Sequence, residues 1–276
     1  MIIQSSTGER DDGARFAITL DEHLQLVGQL AENFGNDAFA QPEPREYFLY
    51  ACRWHDKGWK DLDDNPPLDP ATGLPYNLVE TPIPIITLTG CRSPEYNEAH
   101  HAYCGLLDSM HIWGLYNGRY GLSDKVLIDI VPEQHKLAAE TMLSTERQRQ
   151  ERLTRVLQDD PETAPWVEEE RLFASYKALQ FFDTFALYFN CVHPEGRGES
   201  TFANVPRGIG DDVDVEVRAL GDGVYSLDPY PFRDDGLEVS FTGRHLTPFG
   251  ADEAPDMAAV MRETPRERQS ARLVAA

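Results

Sequence analysis

Five side chains able to bind a cation stand where a folded core calls for apolar groups. His23 falls on the apolar face shared by Leu24, Val27 and Leu30. His55 continues the stripe of Phe48, Ala51 and Cys52, and Asp56 follows it directly. His111 lies in the stripe of Tyr103, Leu107, Met110 and Gly114. Asp183 sits between Phe182 and Phe185 in the most apolar helical stretch of the chain. A buried carboxylate is costly unless it is paired, protonated or bound to a metal. Each residue alone has a commoner structural role: a hydrogen-bonded core histidine for His23, a helix-end pair before Gly58 for His55-Asp56, a salt bridge to Lys177 for Asp183. One such group on each of four helices points instead to a shared metal, because facing helices build metal sites in bundle cores. Imidazole with carboxylate suits one or two divalent iron, manganese, zinc or nickel ions without choosing among them.

The adjacent pair His55-Asp56 is informative in itself. Helical neighbours point about 100° apart. One ion fits between them only if both turn toward a common centre; with two ions the carboxylate can bridge.

The elements that must carry these residues are legible from periodicity. MIIQ and ARFAITL, separated by TGERDDG, read as a β-hairpin. A helix follows, with Asp21 as its N-cap and Gly35 as its stop. QPEPREYFLYACRWHDKGWKD reads as a second helix, and the proline-rich run DDNPPLDPATGLPYNLVETPIP as a long ordered loop of the kind that lines sites. EYNEAHHAYCGLLDSMHIWGLYNG reads as one continuous helix ended by NGRYG. Residues 132–158 form a charged, solvent-facing helix, and a last strong helix runs from about Trp166 to Asn190. DVDVEVRAL, GVYSLDPYPF and LEVSFTGRHL alternate as strands, which should pair with the hairpin because a lone hairpin is marginal. ETPRERQSARLVAA reads as a weak tail.

The order His23, then His55-Asp56, then a late Asp183 resembles the HD-domain superfamily of metal-dependent enzymes. The wording is closer still to a bacterial family known as domain of unknown function 3891. The stretches that carry this likeness are DEHLQLVGQLAENFGNDAF, RWHDKGWKDLDDNPPLDPATGLPYN, GLLDSMHIWGLYNGRYG and YKALQFFDTFALYF, with PYPF and the strands after it. The likeness spans most of residues 1–250. It implies His23, His55, Asp56 and Asp183 as metal ligands, with His111 as the additional histidine of the closer family. Two-metal HD enzymes use further histidines, for which His100 and His101 are candidates as second-metal or pocket residues. On one continuous helix His100 and His111 share a face but lie about 16 Å apart, so His111 is the better ligand. Lys57, Tyr76, Arg119, Tyr120, Lys177 and Gln180 are candidates for a substrate pocket around the centre.

The expected fold is mainly α: an HD-like helical bundle with a small antiparallel β appendage formed by the N-terminal hairpin and C-terminal strands. Its divisions are a hairpin over 1–20, a helical metal-binding core over 21–195, a β appendage over 205–248 packed on the core, and a weak helix or tail over 249–276. The expected function is HD-type metal-dependent hydrolysis of a small phosphoester by a metal-activated water. Asp56 would orient that water, and Lys57 and Arg119 would neutralise the anion. Two rivals stand beside it: an HD-type diiron oxygenase acting on a small polar substrate, and a non-catalytic module that binds metal or ligand.

Composition narrows the partners. With 25 basic against 47 acidic side chains, the 276-residue chain carries a net charge of −22. Such a surface repels nucleic acid and anionic lipid at long range, so a small-molecule substrate is expected, with no nucleic acid and no membrane. Oligomeric state is not readable. MIIQSSTGERDDG has no secretory pattern, and the four scattered cysteines suit reduced thiols, so a cytoplasmic location is expected.

Overall fold

The structure is a computed structural model and describes residues 1–5 and 13–276; the expected hairpin turn falls almost wholly outside them. The longer helices are α1 (Leu20–Asn33), α2 (Arg45–Trp54), α3 (Ile83–His100), α4 (Ala102–Tyr116), α5 (Glu133–Gln158), α6 (Glu169–Cys191) and α7 (Met257–Glu263). The strands are β1 (Ile2–Ile3), β2 (Arg15–Ile18), β3 (Ser200–Gly208), β4 (Asp211–Gly221), β5 (Val224–Asp228), β6 (Leu237–Leu246) and β7 (Glu267–Ala275).

Helix ends decide where the site residues point. α1 opens with a side-chain cap, Thr19 Oγ1 accepting the Glu22 N–H at 3.2 Å, so Thr19 rather than Asp21 is the N-cap. Two more of its free N–H groups, on Leu20 and Asp21, are taken by the two oxygens of buried Asp63, each at 2.9 Å. α2 stops at Trp54, so the expected second helix ends just before His55. The helix expected to run through residues 95–118 is two helices. His101 is extended (φ −160°, ψ 146°) and its Nδ1 accepts the Tyr103 N–H at 3.1 Å, which caps α4 and ends α3. A histidine replaces a backbone turn here, a role that periodicity does not reveal.

The sheet corrects the expected fold class. About half the chain is helical and about a fifth lies in a single seven-stranded mixed sheet, a half-barrel ordered β1-β2-β6-β7-β5-β4-β3. The fold is therefore mixed α/β, not a mainly α bundle with a small β appendage. The hairpin does join the later strands, β2 running antiparallel to β6 with Arg15 opposite Leu246. The region read as a tail supplies both α7 and β7, and β7 is central: antiparallel to β6 and parallel to β5. Its charges hide the alternation, since Arg268 and Arg272 face solvent while Ala271 and Leu273, on either side of Arg272, are buried.

α1 packs on β6 and α6 on β3; α2 and α4 lie against these two helices, with α3 and α5 beyond α4. α6 is thus enclosed, which is why it is apolar nearly all round; Phe182, Phe185 and Phe189 are wholly buried. Buried Arg197 ties its C-terminus to the sheet, donating to the Phe189 carbonyl at 2.8 Å and to the Tyr225 hydroxyl at 3.0 Å. Among the described residues no helix is long and apolar enough to cross a membrane.

Because Asp63 satisfies two buried N–H groups from 43 positions along the chain, Asp63→Ala should cost about 2 kcal/mol in urea unfolding. A change below about 0.5 kcal/mol, the scatter of neutral surface substitutions, would show that water replaces the carboxylate.

Candidate metal centre

The five residues singled out in the sequence converge at the junction of α1, α2, α4 and α6. His23, His55 and Asp56 each offer a ligand atom within 4.8 Å of one another, and so do His55, His111 and Asp183. His23 and His55 are 0% exposed, His111 2% and Asp183 5%; the Asp56 side chain, at 13%, is the most open.

The early end of α2 explains how neighbours 55 and 56 serve one centre. His55 is still helical (φ −60°, ψ −24°), whereas Asp56 leaves the helix at φ −112°, ψ 24° and swings its carboxylate back, Oδ2 lying 3.8 Å from His55 Nε2. A 3₁₀ turn over Lys57–Trp59 follows, pinned to α3 by the Gly58 N–H donating to Ser93 Oγ at 2.9 Å. Position 58 must be glycine: a Cβ would lie 2.3 Å from the Thr89 carbonyl oxygen and 2.9 Å from Ser93 Oγ. Gly114, one turn after His111, likewise lets α4 approach α6, since a Cβ there would lie 2.1 Å from the Tyr176 hydroxyl.

All three histidines are held at Nδ1. His55 Nδ1 donates to the Cys52 carbonyl at 2.9 Å, and His23 Nδ1 lies 2.8 Å from Asn190 Oδ1. His111 Nδ1 lies 2.7 Å from the Gln180 amide nitrogen; turning that amide over makes its oxygen the acceptor of an Nδ1–H. This is the outer support typical of metal-bound imidazole, which fixes the tautomer and leaves Nε2 as the ligand atom. Nε2 of His23 and of His55 is buried without a hydrogen-bond partner. Each nevertheless faces Asp183 Oδ1, at 3.2 Å and 3.8 Å. Lone pairs converging in a closed core repel unless a cation lies among them. Two atoms each about 2.1 Å from one ion sit about 3–4 Å apart, so the donor set fits a divalent metal. Both triads draw on His55, whose other nitrogen is committed to Cys52, and this sharing favours one ion.

The electrostatics agree. Burial depresses the His55 ring, but the attraction of Asp183 and Asp56 outweighs it and raises the group to about 9. Burial, then the charge on His55, pushes His111 down to about 3, with Arg119 adding to the effect. Burial would raise Asp183, yet His23 and His55 hold it well below the usual carboxylate range. Burial raises the Asp56 carboxyl against the opposing charge on His55.

The other candidates are dispersed. His100 stacks on Tyr50 with ring centroids 3.6 Å apart and His101 on Tyr47 at 3.8 Å, on the outer side of α2 and away from the cluster. The Lys57 ammonium lies 4.5 Å over the Trp54 ring. Tyr76 belongs to a loop stitched to β1, where the Ile3 N–H donates to Asn77 Oδ1 at 3.1 Å. Tyr120 bonds Gln150 at 3.2 Å, and Lys177 pairs with Asp212 at 2.6 Å. Gln180 alone of these touches a member of the cluster, His111.

Sequence reasoning missed Asn190 and Asp108. Asn190 follows Asp183 by seven residues, two helical turns on the same face, a spacing that could have flagged it. Asp108, 0% exposed, accepts from Asn97 Nδ2 at 2.7 Å, and burial holds its carboxyl well above the usual range.

A family profile described as "Protein of unknown function (DUF3891)" matches residues 6–248. The chain belongs to the DUF3891 family. That match contains His23, His55, Asp56, His111 and Asp183. No curated protein and no solved structure matches the chain.

Two expectations follow. Gly58→Ala should push the turn off α3, drag His55 out of line and lower any bound metal by at least about half while the fold persists, seen by elemental analysis beside circular dichroism; undiminished metal would show that the turn can shift freely. A metal ion entering this site would have to expel the proton that His55 holds below about pH 9, so affinity should rise about tenfold per pH unit between about pH 6 and 8. A flat competition titration over that span would mean that no such proton is displaced.

Proposed function

We propose that this protein is a metal-dependent hydrolase acting on a small phosphoester. The observation that carries the reading is the convergence, in a closed core, of two imidazole nitrogens without hydrogen-bond partners, the carboxylates of Asp56 and Asp183, and His111. A divalent ion held there by His23, His55, His111 and Asp183 would supply Lewis acidity toward a phosphoryl oxygen and an acidified water.

The protein's own groups then have separable tasks. Cys52, Asn190 and Gln180 keep the three rings oriented. Asp183, facing both His23 and His55, balances cationic charge. Asp56 has the most open side chain of the set, so it is the group able to meet an entering water, orient it and accept its proton at Oδ2 as the water oxygen attacks phosphorus. The ester P–O bond breaks and the leaving alkoxide takes up the proton that Asp56 accepted from the water. The low dielectric around the set strengthens each of these interactions.

Elemental analysis and phosphate release from p-nitrophenyl phosphate test this together. Wild type should carry about one divalent ion per chain and release phosphate. Asp183→Asn should lose the ion, because removing one partner of a buried charged set costs about 3–5 kcal/mol. Asp56→Asn should retain most of the ion and lose at least about 100-fold in rate, the scale of a lost general base. Metal absent even after reconstitution, or no phosphoester turnover by a fully loaded enzyme, would sink the proposal.

A further inference from the structure

Beside the metal centre, and separated from it by Gln180, lies a cavity of about 260 Å³. Gln180 both lines this cavity and contacts His111 Nδ1 at 2.7 Å. Arg119, Lys177, Thr201 and Asn204 form other parts of its wall. Lys177 is neutralised by Asp212 at 2.6 Å. The Arg119 side chain makes no hydrogen bond or ion pair with the described residues, so its guanidinium charge lines the cavity uncompensated. In a chain of net charge −22, an unpaired arginine in a polar hollow is conspicuous.

The backbone around this cavity is held in an unfavourable conformation on two sides. Arg119 (φ 51°) and Tyr120 (φ 58°) are left-handed, flanked by Gly118 and Gly121 with positive φ. Asn204 (φ 60°) is left-handed on the opposite wall, inside the β3–β4 irregularity between Phe202 and Val205. Among the described non-glycine residues, four have positive φ; three of them belong to the wall of this one cavity or to its Arg119 turn. Left-handed residues cost about 1 kcal/mol or more each and persist where surrounding structure enforces them, often at ligand sites. Bulges beside sites re-aim side chains in the same way. Ordinary packing gives no reason for a strained turn and a strained bulge to meet around one unpaired guanidinium.

We propose that this cavity is the phosphate-binding subsite of the enzyme, with Arg119 as the anion's partner and Gln180 as the wall shared with the metal centre. The inference rests on the hydrolase reading for its link to catalysis, but the anion site itself does not need the metal. Arginine presents a planar fork that matches phosphate oxygens. The small volume selects a compact phosphoester rather than a nucleic acid.

Titration calorimetry with inorganic phosphate, and separately with acetate, tests the assignment on metal-loaded and chelator-stripped protein. Wild type should bind phosphate in both forms and prefer it to acetate. Arg119→Gln should weaken phosphate at least tenfold with metal content and melting temperature unchanged. Asn204→Asp, which keeps a residue tolerant of the left-handed backbone and places a carboxylate on the opposite wall, should weaken it similarly and guards against a folding defect in the first variant. Phosphate bound only to the loaded form, and equally by wild type and Arg119→Gln, would overturn the subsite while leaving the metal reading intact. Arg119-dependent phosphate binding by a protein that takes up no metal would uphold the subsite and remove the hydrolase reading. Acetate bound as tightly as phosphate would overturn the phosphate assignment.

Discussion

A buried carboxylate facing two imidazole nitrogens is the constraint on which the rest of this structure turns. Asp183 Oδ1 lies 3.2 Å from His23 Nε2 and 3.8 Å from His55 Nε2, and both rings have their other nitrogen engaged elsewhere. Positive charge at the centre, a proton or a bound cation, reconciles the three. A proton on His55 satisfies one contact; a divalent ion there would satisfy all of them together with Asp56 and His111. The architecture follows from that demand. α1, α2, α4 and α6 must hold four fixed positions around one point, so α6 is enclosed by sheet and helices, α2 ends where its last ring can turn inward, and Gly58 and Gly114 allow backbones to approach where a side chain would not fit.

The site was far more legible in the sequence than the fold was. His23, His55, Asp56, His111 and Asp183 announced themselves because a charged or titratable group on an apolar stripe is anomalous whatever the topology. The residues that orient them were harder to see. Cys52 acts through its backbone carbonyl, which no side-chain pattern records, and Gln180 looks like any polar residue on a helix. The break at His101 was hidden because a histidine performs the capping usually given to Ser, Thr, Asp or Asn.

The sheet was underestimated for a different reason. β4 and β7 expose one face, so charged residues alternate with only a few apolar ones, and Arg268 and Arg272 make β7 resemble a solvated tail. Strand order depends on non-local pairing that periodicity does not encode. Arg119 shows the same limit at the scale of one residue. Its position after the His111 helix was visible, but the left-handed turn and the unpaired charge were not.

The placement of β7 has a consequence for how the chain is assembled. It is last in sequence yet lies between β6 and β5. During synthesis from the N-terminus, β1, β2 and β6 can form one ribbon and β3, β4 and β5 another, but no strand pairing joins them until residues 267–275 have emerged. Until then each ribbon presents an unpaired edge, the kind of surface that recruits chaperones or other nascent chains. α1 rests on the first ribbon and α6 chiefly on the second, so a strand that carries none of the candidate ligands closes the sheet beneath two helices that already touch through His23 and Asn190.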